Sequence, residues 1–258
     1  MKATEDIMGM PVTVEIRDAQ ASEQDLRQVF AHFHSVDKQF STYKPDSEIS
    51  RINRLELALA DASVGTREVF RLSAKTNYQT RGYFDIMAPG GGFDPSGLVK
   101  GWAIYHAAQL LEAKGFREFF VEAGGDLQVR LADSLRPAWR VGIRSPFNQE
   151  EIVKVVSLHN QGMATSGSYE RGQHVYNPYQ PQKPLTEILS VTVIGPNVYE
   201  ADRFATAAFA MGPEGIKFLE QQPELEGYQI DRQGVATQTT GFEQYVRENP
   251  KSETQISN

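Results

Sequence analysis

Hydrophobic and polar residues alternate along this 258-residue chain with two periods, one typical of strands and one typical of helices. Val12, Val14 and Ile16 are separated by polar residues, which predicts an opening strand. A helix is predicted from Ser22, because the apolar residues that follow recur at helical spacing. Its apolar face comprises Phe30, Phe33, Val36 and Phe40. The chain therefore begins with a strand and an amphipathic helix.

The rest of the chain continues this mixture without a repeat of fixed period. Further helices are predicted from a Thr66 cap to Gly82, through Ile104, Ala108 and Leu111 to a stop at Gly115, and from Val198 to Met211 before Gly212. Strands are predicted on both sides of a glycine turn in residues 119–131, and at 139–143, 152–158, 163–165 and 189–194. This alternation predicts a mixed α/β or α+β domain.

Charge and composition narrow the possible functions. The formal net charge of -7 and the pI near 5.3 disfavour a nucleic-acid partner, because binding to a phosphate backbone needs clustered lysine and arginine. The chain has no cysteine, which excludes disulfides, a thiolate nucleophile and a cysteine-ligated metal. Any metal must therefore be held by oxygen or histidine ligands.

Domain organisation and location are expectations from the same pattern. Residues 1–247 are expected to form one domain, and the polar residues 248–258 a flexible tail. No apolar stretch is long enough to span a bilayer, and the opening segment MKATEDIMGM has no apolar signal-peptide core. We expect a cytoplasmic protein; if a leader has been removed, a periplasmic or membrane-anchored location is the alternative.

A glycine-rich segment precedes the third long helix, and glycines in that position often let backbone amides approach a phosphate. The segment includes Gly90, Gly91, Gly92, Asp94, Ser96 and Gly97. It is neither a Walker loop nor a dinucleotide fingerprint, because Leu98 and Pro95 occupy required positions. A long turn with positive φ angles is the alternative. Lys100 lies one turn inside the helix, where a cation opposes the helix dipole and needs an anionic partner such as a diphosphate.

Asp202 and Thr206 are four residues apart and lie on one face of the last predicted helix. A carboxylate and a hydroxyl so placed offer two hard oxygen ligands to Mg²⁺, which keeps several waters and binds phosphate oxygens. The alternative is structural: an aspartate near a helix start complements the dipole, and a threonine hydroxyl commonly bonds the carbonyl four residues earlier. The spacing alone leaves both readings open.

Among the histidines, His174 is the best candidate for a general base, because it follows the turn formed by Thr165, Ser166 and Gly167. The other four are predicted to serve packing or to lie at the surface. They are His32, His34, His106 and His159. No serine–histidine–aspartate order and no H-E-x-x-H pair supports peptidase chemistry.

Eight segments follow one another along the chain: MGMPVTVEI, FSTYKPDSEISRIN, GYFDIMAPG, DPSGLVKGWA, FVEAGGDLQV, MATSGSYER, HVYNP and SVTVIGPNVYEADRFATAAFAMG. Taken in this order, they resemble the FAD:protein FMN transferase family, often called the ApbE family. The resemblance implies an α+β fold built around antiparallel sheets with packed helices, in a single T-fold-like domain. It also implies Mg²⁺, FAD as substrate, and transfer of FMN to a threonine of an acceptor flavoprotein with release of AMP.

The resemblance also implies roles for individual residues. The positions implied to contact FAD are Met8, Tyr43, Tyr83, Phe84, Asp85, Asp94, Lys100 and Tyr176. The implied metal ligands are Asp202, Thr206 and the backbone carbonyl of Gly97, and His174 is the implied catalytic base.

This chain also departs from the family pattern. Met10 replaces a threonine near the start, Tyr105 replaces an aspartate, and Asn177 and Tyr179 replace the acid and the base of the segment that His174 opens. These changes surround the expected cofactor and acceptor sites and leave the metal pair intact. Two alternatives follow: an FAD-binding protein or FAD pyrophosphatase without a protein acceptor, and a non-catalytic interaction module whose glycine turn is only a turn.

Overall fold

The structure, a computed structural model, describes residues 1–132, 137–167 and 175–246. The strands are β1 (Lys2–Ile7), β2 (Met10–Ile16), β3 (Glu118–Ala123), β4 (Asp126–Leu131), β5 (Trp139–Arg144), β6 (Ile152–Leu158), β7 (Gly162–Gly167), β8 (Ile188–Gly195), β9 (Glu226–Asp231) and β10 (Ala236–Gln238). The helices are α1 (Glu23–Phe40), α2 (Glu48–Asn53), α3 (Val64–Gln79), α4 (Ser96–Ala113), α5 (Val198–Met211) and α6 (Gly215–Glu220).

Eight of these strands form one antiparallel sheet in the order β1-β2-β3-β4-β7-β8-β9-β10, and β5 and β6 pair as a separate hairpin. The order departs from the chain sequence only between β4 and β7, where the β5–β6 hairpin leaves the sheet. Antiparallel strands with helices packed against them define an α+β fold, and the expectation of that class is confirmed.

The two faces of the large sheet are covered differently. Helices α1 and α4 pack on β2 and β3, and α5 and α6 pack on β7 to β9. The opposite face, around β4 and β9, is covered by the β5–β6 hairpin, with Trp139 and Phe242 in its core. Helices α4 and α5 lie side by side across the middle of the sheet. The side chains on the facing surfaces of α4 and α5 are therefore packed between the two helices and the sheet.

Most of the predicted elements exist, with some corrected boundaries. Helix α3 is capped by Ser63, whose hydroxyl accepts the Thr66 N–H, so the predicted cap at Thr66 is wrong by three residues. The helix ends at Gln79, before Gly82. Strand β1 was not predicted, because its outer position exposes most of a polar segment in which only Ile7 is buried.

No helix in the described ranges is both long and apolar enough to cross a membrane. Residues 247–258, including the predicted tail, lie outside the described residues, as does His174.

Candidate functional site

A cavity of about 840 Å³ opens where α4 and α5 meet β7 and the loops at one end of the sheet. Its volume lies within the range of small-molecule binding sites. Every described residue predicted to contact FAD or metal lines this cavity. They are Met8, Tyr43, Tyr83, Phe84, Asp85, Asp94, Gly97, Lys100, Tyr176, Asp202 and Thr206. The structure thus brings together residues from six separate segments, while their individual roles stay predictions.

The buried wall of the cavity depends on a close approach of α4 and α5 at two glycines. A Cβ atom added to Gly101 would lie 2.6 Å from Cβ of Asp202 and 2.8 Å from the carbonyl oxygen of Val198. One turn earlier, a Cβ on Gly97 would lie 3.0 Å from Cγ2 of Thr206. The absence of side chains at these two positions allows the helices to touch along this face. The helix contact therefore places Asp202 and Thr206 directly against the α4 backbone.

Thr206 directs its hydroxyl across to the other helix. Its Oγ1–H donates to the carbonyl oxygen of Gly97 at 3.2 Å, and Oγ of Ser166 lies 3.4 Å from the same hydroxyl. In a regular helix, the Gly97 carbonyl is the acceptor for the Gly101 N–H. The Gly101 N–H also donates to Oδ2 of Asp202, at 2.7 Å. The Thr206 hydroxyl and the Gly97 carbonyl thus form a pair of adjacent oxygens on the cavity wall.

Asp202 is 4% exposed, and its carboxylate has charged neighbours as well as the Gly101 N–H. Burial raises the pKa of Asp202 well above its ordinary value, and the adjacent carboxylate of Asp126 raises it further. Lys100 and the hydrogen bond from Gly101 act in the opposite direction. Such a carboxylate has a high free energy when it is ionised, so a bound cation would be strongly favoured there.

Lys100 extends from α4 toward Asp126, the first residue of β4. Its Nζ lies 2.9 Å from Oδ2 of Asp126, which is fully buried, and the lysine side chain is 15% exposed. The other oxygen of Asp126 accepts the backbone N–H of Thr165 at 3.0 Å. The anionic partner expected for Lys100 therefore includes a carboxylate of the protein itself.

The outer part of the cavity is built from loops whose tyrosines bond to backbone carbonyls. The Tyr176 hydroxyl donates to the carbonyl of Met87, and the Tyr179 hydroxyl donates to the carbonyl of Arg81. The Tyr179 ring also packs edge-on against Tyr83, with 5.1 Å between ring centroids. These two hydrogen bonds therefore connect the segment after residue 175 to the loop that follows α3.

Met8 reaches the cavity from the turn between β1 and β2. Ile7 pairs with Met10, so Met8 and Gly9 form a two-residue hairpin turn, with φ angles of 59° and 72°. Both angles are positive, as in a type I′ turn, which is rare for a residue with a side chain such as methionine. Tyr43 faces the same opening and is 90% exposed. An apolar chain and an aromatic ring thus border the entrance.

Asp85 and Asp94 shape the loop between them as well as lining the cavity. Asp85 accepts the N–H of Met87 at 2.9 Å, and Asp94 accepts the N–H of Ser96 at 3.0 Å, just before α4 begins. Burial raises the pKa of Tyr176 to about 12, with a further contribution from the charges of these two aspartates. Tyr176 therefore stays protonated at neutral pH and keeps its hydroxyl proton for donation.

The donor set suits Mg²⁺. Adjacent ligands of an octahedral Mg²⁺ at about 2.1 Å lie about 3.0 Å apart, which is close to the 3.2 Å between the Thr206 hydroxyl and the Gly97 carbonyl. Within the described ranges, no three histidine or acidic side chains are placed to hold a metal ion together. A metal here would rely on hard oxygens, namely the carboxylate of Asp202, a hydroxyl and a carbonyl. Mg²⁺ tolerates such a sparse set because it retains waters.

The charges of the described lining support the same conclusion. Three aspartates line the cavity, at positions 85, 94 and 202, and Lys100 is the one cationic side chain among the described lining residues. Phosphate groups brought into this cavity would meet more negative than positive charge. A divalent cation would offset that repulsion, because it adds two positive charges where the phosphates would lie.

Gly101, Asp126 and Ser166 contribute to this site but were not assigned to it from the sequence. Gly101 and Gly97 are four apart on one helix face, a spacing that signals close helix contact. Asp126 follows two glycines at the start of an apolar strand, so its burial with a charged partner could have been suspected. The turn predicted at Thr165, Ser166 and Gly167 is wrong, because all three residues belong to β7, where Ser166 lies beside Thr206.

Comparison with known proteins gives a consistent result. A family model described as "ApbE family" matches residues 8–91 and 87–229. The FAD:protein FMN transferase of Escherichia coli strain K12 is 35% identical over 156 residues, covering 57% of this chain and 44% of that protein. The FAD:protein FMN transferase of Vibrio cholerae is 24% identical over 268 residues, covering 82% of this chain and 79% of that one.

The fold agrees with a solved structure as well. The crystal structure of the ApbE protein from Thermotoga maritima superposes with a TM-score of 0.84 at 19% identity, covering 96% of this chain and 99% of that one. At this level of identity the likeness concerns the fold alone. The matched part of the E. coli relative is less than half of its length.

Proposed function

The chain belongs to the ApbE family, and from that premise we propose that it is a Mg²⁺-dependent FAD:protein FMN transferase that attaches FMN to a threonine of an acceptor protein and releases AMP. One observation carries the proposal: Gly97, Asp202 and Thr206 present three hard oxygens on the wall of a cavity that Lys100 also lines. Such an arrangement suits a diphosphate bound with a divalent cation.

The reaction joins the threonine oxygen to the phosphorus of the FMN half of FAD. The bond between that phosphorus and the oxygen of the AMP half breaks, and AMP leaves with the bonding electrons. The threonine hydroxyl loses its proton to a base, and we assign this role to His174, which lies outside the described residues. Such phosphoryl transfers depend mainly on positioning and on neutralising the charge of the phosphate oxygens.

Mg²⁺ bound at Asp202, Thr206 and the Gly97 carbonyl would neutralise the diphosphate and stabilise the departing AMP. Lys100 contributes a second positive charge at the same wall, where its ammonium is held near the cavity by Asp126. The oxygen ligands are held by backbone and helix contacts, so little reorganisation is needed when the charge develops.

The outer cavity supports FAD as the substrate. Tyr43, Tyr83 and Tyr176 offer aromatic faces and edges of the kind that planar rings pack against. Asp85 and Asp94 are acceptors, and they suit the N–H and hydroxyl donors of a flavin, a ribityl chain or an adenosine. The arrangement thus has a polar, cation-binding end for the phosphates and an aromatic end for a ring system.

The test is to incubate the purified chain with FAD, Mg²⁺ and a panel of threonine-bearing candidate acceptor proteins. In-gel flavin fluorescence reports labelling of the acceptor, and chromatography reports AMP and FMN. We expect a fluorescent acceptor and one AMP per label, and we expect EDTA to abolish both. Calorimetric titration of FAD in the presence and absence of Mg²⁺ measures binding independently of the acceptor.

Each other outcome contradicts a specific part of the proposal. AMP and free FMN without labelling would indicate an FAD pyrophosphatase. FAD binding without any product would indicate a flavin carrier. A chain that binds no FAD in the presence of Mg²⁺ would indicate a non-catalytic interaction module. Labelling that persists at full rate in EDTA would disprove the metal dependence.

A further inference from the structure

We propose that Asp126 is a positioning residue that holds the Lys100 ammonium away from Asp202, so that the Asp202 carboxylate stays available to a divalent cation. Asp126 is fully buried and is not among the residues that line the cavity, so it would act through its neighbours. The inference rests on the metal-dependent function proposed above, and it extends the role of Asp126 from holding Lys100 near the cavity to keeping Asp202 available for the metal.

Asp126 is fixed by the divergence of two strands. Strands β4 and β7 pair through Leu127 and Gln128, and the pairing stops before Asp126. The Thr165 N–H beyond that point has no β4 carbonyl opposite it in the ladder, and it donates to Oδ1 of Asp126 at 3.0 Å. This hydrogen bond orients the carboxylate, and the second oxygen, Oδ2, is the one that pairs with Lys100.

That second oxygen lies 2.9 Å from Nζ of Lys100. Lys100 is followed by Gly101, whose backbone N–H donates to Oδ2 of Asp202 at 2.7 Å, so Lys100 and Asp202 are neighbours across the α4–α5 contact. Two carboxylates therefore lie near one lysine, whose side chain is 15% exposed. Without Asp126, Asp202 would be the carboxylate left beside Lys100, and an ammonium paired with Asp202 would compete with a metal ion for its charge.

The substitution Asp126→Asn tests this idea with little change in shape. The asparagine oxygen can still accept the Thr165 N–H, but the side chain no longer carries a charge to hold Lys100. We expect the half-saturating Mn²⁺ concentration of the FAD-free full chain to rise about tenfold, a typical size for coupling between contacting charges. The measurement is the electron paramagnetic resonance signal of free Mn²⁺, and circular dichroism confirms the fold of each variant.

A second pair of proteins separates the proposed role from a general electrostatic effect. In a K100M background nothing competes for Asp202, so adding D126N should change Mn²⁺ affinity by less than about threefold. The K100M variant alone should bind Mn²⁺ at least as tightly as the wild type. The Mn²⁺ affinity of K100M can be measured even if D126N alone does not fold.

An equal loss of Mn²⁺ affinity from D126N in the wild-type and K100M proteins would overturn the inference, because the charge of Asp126 would then act directly on the metal. So would a D126N affinity equal to that of the wild type, or a tenfold loss in K100M. Acceptor labelling in the same wild-type preparation distinguishes the two proposals. If Lys100 and Asp126 are coupled in Mn²⁺ affinity but no acceptor is labelled, the transferase function is disproved and the role of Asp126 stands. If the acceptor is labelled but the two residues are not coupled, the transferase function stands and the role of Asp126 is disproved.

Discussion

The two ends of the cavity are built in different ways. At the inner end, formed by Gly97, Lys100, Asp202 and Thr206, every functional group belongs to α4 or α5 and lies against a buried neighbour. At the mouth, formed by Tyr43, Tyr83, Tyr176 and the loop of residues 85–94, with Tyr179 packed behind Tyr83, the groups belong to loops and are partly or largely exposed.

This difference indicates how each end tolerates change. A shift of α5 relative to α4 would move the Asp202 carboxylate and the Thr206 hydroxyl together away from the Gly97 carbonyl, and the close contacts at Gly97 and Gly101 leave little room for such a shift. The mouth is joined by a few hydroxyl-to-carbonyl bonds, each of which contributes about 1 kcal/mol. Substitutions at the inner end should therefore affect chemistry or folding, and those at the mouth should affect substrate affinity.

The largest expected effect is that of Asp202→Asn, which keeps an acceptor for the Gly101 N–H but removes the charge that would bind the metal. We expect the rate of acceptor labelling to fall by about a hundredfold or more. Thermal stability in EDTA should be unchanged or higher, because a buried carboxylate beside Asp126 is costly to ionise. The conservative control is Asp61→Asn at an exposed position. Wild-type labelling by Asp202→Asn would contradict the inner end as the chemical site.

The next effect concerns folding. Gly101→Ala would place a methyl group 2.6 Å from Asp202, so we expect a loss of unfolding free energy of about 2–3 kcal/mol, measured by urea denaturation. The matched control is Gly90→Ala at the mouth, where an added Cβ meets nothing within 4 Å. Equal stabilities of the two variants would mean that the helix contact is not tight.

A smaller effect is expected at the mouth. The double variant Tyr176→Phe and Tyr179→Phe removes the hydroxyls that bond to Met87 and Arg81 but retains both rings. We expect the KM for FAD to rise by about three- to tenfold, as the loss of one or two modest hydrogen bonds allows, with kcat within about twofold. Tyr78→Phe, at an exposed tyrosine of α3, is the control. A fall in kcat with an unchanged KM would show that the mouth takes part in the chemical step.

The smallest effect concerns the support behind the inner end. His32 of α1 contacts the Ala103 carbonyl of α4 at 3.0 Å, and burial lowers the pKa of His32 below that of an ordinary histidine. The unfolded chain therefore binds a proton at higher pH than the native chain. The unfolding free energy should fall as the pH drops from 7 through the ordinary value of about 6.5 toward 5.

His32→Gln removes this titration while it retains a donor for the carbonyl. The variant should lose less of its unfolding free energy than the wild type between pH 7 and pH 5, as measured by urea denaturation. Equal losses would mean that the α1–α4 contact does not respond to this histidine.

The sequence indicated part of the site. The i,i+4 spacing of Asp202 and Thr206, the glycine-rich segment before Lys100 and the order of eight motifs together pointed to eleven of the described residues that line the cavity. Local patterns also predicted α1, α4 and α5 well, because each has an apolar face or a glycine stop that acts within a few residues. Strand β1 was missed, because pairing rather than an apolar face holds it.

By itself, the sequence determined which groups are available to the site and which helices and strands carry them, because these features depend on residue type and on short spacings. Only the tertiary structure decided that Thr206 turns its hydroxyl to Gly97, that Asp126 receives the ammonium of Lys100, and that two tyrosines fasten the mouth. The partners in each of these contacts are between 26 and 109 positions apart in the chain. No local pattern encodes such contacts, since they exist only after the strands have paired and the helices have packed across the sheet.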